Sequence, residues 1–430
     1  WSFKGQPLLL VGASNDDNMF QYPNLKNHLD NMKMVGANYI RNTMSERKIH
    51  GGEVSAFLQE NGTYDLTKWN PEYWQRFDSL LKWTFDRDII VQVELWATHD
   101  VFKQENWNVS PWNPDRNVNY TWKDTRLSPQ VAEHANQFHA FFNSVPEALN
   151  DTVLLKFQKQ FVENVLARSL AYPHVLYCIT NEIQHAQSKH WSWYWAEFVK
   201  EVAEQKGVEV QVTEMYWAPD LKDEQHKLAL DHPEVYTFFE SSQNSAISGQ
   251  ENWDNLQYVR HYLSENPIPI NSVKIYGKTG EVTWPGSDEE AVDRFWRNML
   301  GGCASSRFHR NEKGKYGLGL NELSANSLKS VQLFLEDVKP WRAKPANDLL
   351  TNRTENEAYA MADTMNAYAV YFPGNGNVSL KVNGTHEYEL RWINVREGRE
   401  YQSETITGTN QITLSTPEKE GKWLVTLVKK

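Results

Sequence analysis

Through the first 340 residues, short apolar runs rich in β-branched side chains alternate with longer amphipathic stretches, and that alternation leaves few folds open. The apolar runs fall at 8–13, 37–42, 89–95, 174–180, 208–213, 235–239, 272–276 and 303–308. Each is followed by a stretch with helical spacing, at 25–35, 73–86, 153–171, 191–205, 222–230, 253–264, 288–300 and 325–338. In the second of these, Phe77, Leu80, Leu81 and Phe85 recur at intervals that place them on one helix face. Eight such units predict a closed (β/α)8 TIM barrel with insertions. An open doubly wound sheet is the competitor, but no apolar run leads into a GxGxxG phosphate loop.

After Pro340 the pattern changes to period-two strands, at 368–372, 378–382, 388–393, 411–414 and 423–428. Pro373-Gly374-Asn375-Gly376, Asn383-Gly384 and Glu397-Gly398 stand between them as turn signals. The expected organisation is a barrel over 1–340, a polar linker over 341–357 and a small all-β sandwich over 358–430.

Hydrophobic residues make up 40% and charged residues 23%, which is enough for a core and excludes whole-chain disorder. No run approaches the roughly 18–20 apolar residues of a membrane span. A net charge of −11 argues against a nucleic-acid partner, which needs a basic field. The two cysteines, Cys178 and Cys303, sit in apolar runs and read as buried thiols, with neither a disulfide framework nor a zinc cluster. A chain that opens on Trp1 fits processing and export, so a secreted, periplasmic or cell-surface location is expected. Aromatic residues reach 13%, with 18 Trp, and tryptophan beyond core needs forms flat platforms for sugar rings.

Functional residues of an eight-fold barrel project from the C-terminal ends of its strands. The predicted ends carry Arg41, then Glu94 and Trp96, then Asn181, Glu182 and His185, then Tyr216, Glu240, Lys274 with Tyr276, and Arg307 with His309. This rim is crowded with carboxylates, amides and aromatic rings, and it lacks a Ser-His-Asp order or an HExxH pair. Carboxylate-driven hydrolysis of a glycosidic bond is the chemistry such a set suits. His99 and Asp100 find no third ligand at a convincing spacing, so neither a metal nor a cofactor is expected.

With Arg41 in NYIRNT after the second strand and Asn181-Glu182 after the fourth, the chain resembles clan A glycoside hydrolases, retaining (β/α)8 enzymes. That resemblance implies Glu182 as general acid/base and Asn181 as a contact to a sugar 2-hydroxyl. The C-terminal segment is similar to the β-sandwich modules of apiosidase-like bacterial glycosidases, through Ala358-Tyr359-Ala360-Met361-Ala362, Tyr371-Phe372-Pro373, Arg391-Trp392-Ile393-Asn394 and Trp423-Leu424-Val425. Clan A enzymes place a nucleophilic Glu at the end of strand seven, where this chain has Lys274, and an ammonium cannot attack an anomeric carbon. Glu240, inside FFESSQN, is the expected second carboxylate, with Glu94 and Glu322 less favoured. A carboxyl separation of about 5–5.5 Å would mean retention and one of roughly 6.5–9.5 Å inversion.

Trp96, at the head of a long segment over 96–151, is the expected stacking platform on a substrate that is an oligo- or polysaccharide. Arg41 and Asn181 are expected to orient the acids, and His185, Tyr216 and Tyr276 to line the rim. Lys274 with Arg41, Arg307, His309 and Arg310 would make a cationic side suited to a uronic or sulfated sugar, unless these pair with Asp16, Asp17, Glu94 or Glu214. Two rivals follow from Lys274: a carbohydrate-binding barrel that has lost its nucleophile, and a polysaccharide lyase with Lys274 or a Tyr as base.

Overall fold

Seven of the eight apolar runs contain or overlap a parallel strand, whereas the seventh strand lies at Ile270–Asn271, just ahead of its expected run over 272–276, of which only Ile275 bridges, to Phe308. The computed structural model describes all residues except 48–50, 132–137, 278–285, 312–316 and 364–365. The strands are β1 (Leu10–Ala13), β2 (Tyr39–Thr43), β3 (Ile90–Ala97), β4 (Val175–Asn181), β5 (Gln211–Thr213), β6 (Phe239–Glu240), β7 (Ile270–Asn271) and β8 (Ser305–Phe308). The helices after them are α1 (Leu25–Met34), α2 (Pro71–Phe85), α3 (Thr152–Ser169), α4 (Lys189–Gln205), α5 (Glu224–Leu230), α6 (Gly249–Tyr262), α7 (Asp288–Leu300) and α8 (Glu322–Asp337).

Strands β2 to β5 form one parallel ladder, and β6 pairs with β7. Strand β8 pairs in parallel with β1, from Ser305 opposite Leu10 to Phe308 opposite Ala13, and so closes the ring. Backbone bonds from Asn38 N–H to Val11 O (2.9 Å), Thr237 N–H to Val212 O (2.9 Å) and Ala304 N–H to Ile270 O (2.7 Å) make the remaining joins. At the first of them only glycine fits: a Cβ on Gly12 would lie 1.8 Å from Tyr39 O. The fold is therefore a (β/α)8 barrel followed by an antiparallel β module.

Strand β6 starts later than its apolar run suggests. The N–H groups of Val235 and Tyr236 bond to His232 O at 3.0 and 2.9 Å, and this turn consumes the first half of the run. An antiparallel hairpin, Phe57–Glu60 with Thr63–Trp69, lies outside the barrel. Its Asn61-Gly62 corner has both residues at positive φ (53° and 85°), the turn chemistry that fits strand twist.

The C-terminal module comprises β9 (Tyr359–Asp363), β10 (Ala367–Phe372), β11 (Asn377–Asn394), β12 (Arg399–Ser415) and β13 (Trp423–Lys429), all antiparallel. Asn383-Gly384, expected as a hairpin turn, is instead an irregularity within β11, between Lys381 and Thr385. Both halves of β11 send residues to one core, Val378 and Leu380 from the first and Leu390 and Trp392 from the second. In the stretch expected as a linker, Lys344–Pro345 pairs with β9 and Leu350–Thr351 with β11.

Period-two alternation then gives this sheet two roles. Tyr359, Met361, Ala369, Tyr371, Ile393 and Leu424 join the main barrel core, while Ala360, Val370, Phe372, Trp392 and Val425 form the module's own. Tyr371 stacks on Trp296 of α7, with ring centres 5.7 Å apart.

Candidate active site

Inside the barrel the side chains stack in layers that turn from apolar to charged toward the C-terminal ends. Leu10, Ile90, Leu176 and Phe238 share one apolar cluster. Above them Tyr39 donates to Gln92 Oε1 (2.7 Å), Asn271 Nδ2 donates to Tyr39 Oη (3.2 Å), and Gln92 Nε2 donates to Glu240 Oε2 (3.2 Å). One step further along β2 and β3, Arg41 and Glu94 replace Tyr39 and Gln92. Arg41 Nε meets Glu94 Oε1 at 2.5 Å and Nη1 meets Asp17 Oδ1 at 2.6 Å, while Thr43 Oγ1 donates to Glu94 Oε2 at 2.7 Å. Burial alone would raise the Glu94 carboxyl, but Arg41 holds it below its ordinary value.

Glu182 follows directly on β4 and is the centre of the site. Its φ of +66° is a left-handed conformation that costs a non-glycine residue of order 1–3 kcal/mol. Bonds from Ile183 N–H to Met215 O (2.9 Å) and Trp217 N–H to Ile183 O (3.1 Å) hold the turn. Lys274 Nζ donates to Glu182 Oε1 and, at 2.5 Å, to Asn181 Oδ1. Gln243 Nε2 donates to Oε1 at 3.0 Å, and His99 Nε2 lies 2.8 Å from Oε2. Burial would push this carboxyl up. The Lys274 ammonium and His99 outweigh it and hold Glu182 well below the usual carboxylate range, so it is an anion. Replacing Lys274 by Met removes the larger of those influences. The acid limb of a pH–rate profile governed by Glu182 should then move to higher pH in Lys274→Met.

Glu182 opens on a cavity of about 400 Å3, within the roughly 300–1,000 Å3 usual for small-molecule sites. Of the residues expected at the site, Arg41, Asn181, Lys274, Tyr276 and His309 line it beside Glu182. His309 is held well below its ordinary value by burial and by the cations Arg41, Arg307 and Lys274, so its ring is neutral. Tyr276 packs edge-on against it, 4.4 Å between centres. Among the described residues, five cations line the cavity, Arg41, Arg47, Lys103, Lys274 and Arg310, against two carboxylates, Asp17 and Glu182. Much of the positive charge is engaged internally: Asp17 bonds Arg41, Arg47 and Arg310. Among the described residues, no group of three His, Cys, Asp or Glu side chains could hold a metal ion.

The other expected residues lie elsewhere. Glu240 does not line the cavity: its carboxylate turns into the barrel interior, where Ser242 Oγ and the Val273 N–H donate to it besides Gln92. Arg307 is equally internal, donating to Val273 O and Ser14 Oγ, and burial brings it down to about 9. Trp96 is 4% exposed and sits among Trp112, Phe141, Phe161, Trp191 and Trp195, with ring centres 5.2–5.9 Å away, so neither face is a platform on this cavity. Tyr216 is buried by its bridge to Ile183, which leaves the adjacent Trp217, 37% exposed, on the cavity wall. His185 is exposed beside Asp223, at 3.5 Å. Sequence reasoning missed His99, Gln243, Asp17 and Trp217 as cavity residues. For Trp217 the signal was present, but a one-residue slip in the register after a strand exchanges neighbours between inside and outside.

Two buried acids have consequences for stability. Burial pushes Glu214 up to about 8, although the Thr180 and Met215 N–H groups donate to it at 2.8 and 2.9 Å. Burial likewise pushes Glu240 up to about 7. Unfolded, both ionise near 4.5, so between that pH and about 8 the unfolded chain holds fewer protons than the folded one. Stability therefore falls as pH rises through this window. Urea midpoints measured across it should decline, and Glu214→Gln should flatten the decline.

A barrel closed by eight parallel strands, with an ionised Glu at the end of the fourth and a cavity above it, defines the fold class and the candidate site. No family model matches the chain, and no curated protein matches it in sequence. Solved structures do match it. A glycoside hydrolase family 5 protein from Bacteroides vulgatus ATCC 8482 has a TM-score of 0.65 at 12% identity, with 99% of this chain and 89% of that one covered. A second glycoside hydrolase from the same organism, described as putative, has a TM-score of 0.62 at 10% identity, with 99% and 80% covered. A family 39 glycoside hydrolase from Bacteroides cellulosilyticus WH2 has a TM-score of 0.56 at 11% identity, with 98% and 81% covered. At such identities the likeness establishes a shared fold spanning both parts of the chain. No helix is long and apolar enough to cross a membrane among the described residues.

Proposed function

We propose that this chain cleaves a glycosidic bond in an oligo- or polysaccharide, with Glu182 as the carboxylate at the bond that breaks. The supporting observation is Glu182 itself: a buried anion on a left-handed turn at a barrel strand end, open to a cavity with Asn181 beside it and an indole, Trp217, on the wall. The fold shared with glycoside hydrolases supports the same conclusion, as does the resemblance of the β module to those of apiosidase-like enzymes.

Because Lys274 and His99 hold Glu182 ionised, it enters the reaction as a base. It takes a proton from a water that attacks the anomeric carbon as the glycosidic C–O bond breaks. The leaving oxygen, on the far face of the ring, takes its proton from solvent water, and the proton on Glu182 neutralises the hydroxide left behind. Glu240 has no part in this scheme, and the product is the inverted anomer. The surplus of lining cations, Lys103 among them, favours a uronic or sulfated sugar. A polymer of that kind is met outside the cytoplasm, which is where we place the protein.

Product analysis on neutral, uronic and sulfated oligosaccharides tests this proposal. New reducing ends of inverted configuration, formed without ultraviolet absorbance, are the expected result. One observation favours a second reading, the Lys274 ammonium where clan A enzymes carry a carboxylate: with a uronate substrate, elimination would give an unsaturated, ultraviolet-absorbing product. Absence of any cleavage across the panel would favour a carbohydrate-binding barrel.

A further inference from the structure

A second cavity, of about 430 Å3, lies beside the cleft and shares Arg47 and Asn106 with it. We propose that it binds an aromatic ring carried by the saccharide substrate. Trp96, Trp112, Phe141, Phe161, Val101 and Val109 line it, together with Met44, Ala97, Ser110 and the carboxylates of Glu46, Asp100 and Glu105. Arg47 forms the partition: its Nε meets Asp100 Oδ1 at 3.1 Å and its Nη2 meets Asp17 Oδ2, on the cleft side, at 3.4 Å. Asn106 Nδ2 donates to the carbonyl oxygen of His99, the residue that touches Glu182.

The wall chemistry selects the occupant. An apolar cavity of about 150 Å3 is enough to take benzene, so this one holds a substituted phenyl group together with its linking atoms. Four aromatic side chains offer a flat guest the offset and edge-to-face contacts that rings prefer. Of the polar lining groups, Glu46 is already engaged by Ser55 and the Ala56 N–H and Asp100 by Ser45 and Arg47, and indole and phenyl faces give sugar hydroxyls no partners. Arg47 and Asn106 belong to the cleft as well, and the bond from ring to sugar would pass on their side.

The sugar in this inference rests on the glycosidase proposal, but occupancy of the cavity does not, and the experiment uses that difference. 4-Fluorophenol is titrated into the full chain and followed by fluorine NMR. Saturable binding is expected, with phenol competing and glucose not. Val109→Trp plugs the cavity from a position that is 45% exposed and should abolish saturation without harm to the fold. Lys103→Ala, which alters only the cleft, should leave binding intact. Methyl 4-hydroxycinnamate as competitor distinguishes the linkage: displacement more effective than by phenol indicates a phenolic ester, and less effective a ring attached directly to the sugar. No saturation in the native chain, equal binding by Val109→Trp, or loss of binding in Lys103→Ala would each overturn the proposal.

Discussion

Glu182→Gln is expected to lower kcat/KM by about 10²–10⁴-fold on any substrate the native chain cleaves, the usual worth of a positioned general base. The amide keeps the size of the side chain but cannot take a proton from water. It also leaves the buried Lys274 ammonium without its counter-charge, and breaking one side of such a pair costs about 3–5 kcal/mol. Lost activity could then reflect a lost fold, so the double variant Glu182→Gln/Lys274→Met is the necessary companion. It removes both charges together and should recover most of the stability while recovering none of the rate. Thermal midpoints and initial rates for the two single variants and the double variant decide the matter. Unchanged hydrolysis in a folded Glu182→Gln protein would end the base assignment.

A chain stopped after Lys339 is expected to lose cooperative folding. The removed sheet covers Trp296 of α7 and supplies Tyr359, Met361, Tyr371, Ile393 and Leu424 to the barrel core. Exposing a large apolar side chain costs about 1.5–3 kcal/mol. Asp293, buried on α7, would also lose Lys422 Nζ at 2.5 Å and Tyr371 Oη at 2.6 Å. Asp337 at the end of α8 would lose Thr426 Oγ1 and Arg391. Together these losses reach the about 5–15 kcal/mol of net stability typical of a folded domain. The check is calorimetry of the shortened chain. A soluble 1–339 fragment with a sharp transition at the native midpoint would mean that the β module is an independent attachment.

Much of the barrel was legible along the chain because strand and helix periods are local properties. Phe77, Leu80, Leu81 and Phe85 point to one side of α2 whatever else the protein does, and all but Phe85 are fully buried. Strand ends were less legible. The turn at His232 delays β6, and a single residue of register decides that Trp217 and not Tyr216 faces the cleft. At the site, Asn181, Glu182, Arg41 and Lys274 could be picked out because they lie within or just after apolar runs. Gln243 could not, since its placement depends on a short 3-10 turn over Ser242–Ala246.

What the amino-acid order determined by itself was the repeat of eight units, the change to β structure after Pro340 and the identity of the acidic residue after the fourth strand. Each follows from side chains a few positions apart. The ionisation of Glu182, the retreat of Glu240 into the interior and the enclosure of Trp96 among five other rings were decided by the closed tertiary structure alone. Charge state and burial depend on which distant segments end up within a few ångströms: the direct pairing of β3 with β4 brings His99 onto the Glu182 carboxylate, and closure of the ring brings Lys274 and Gln243.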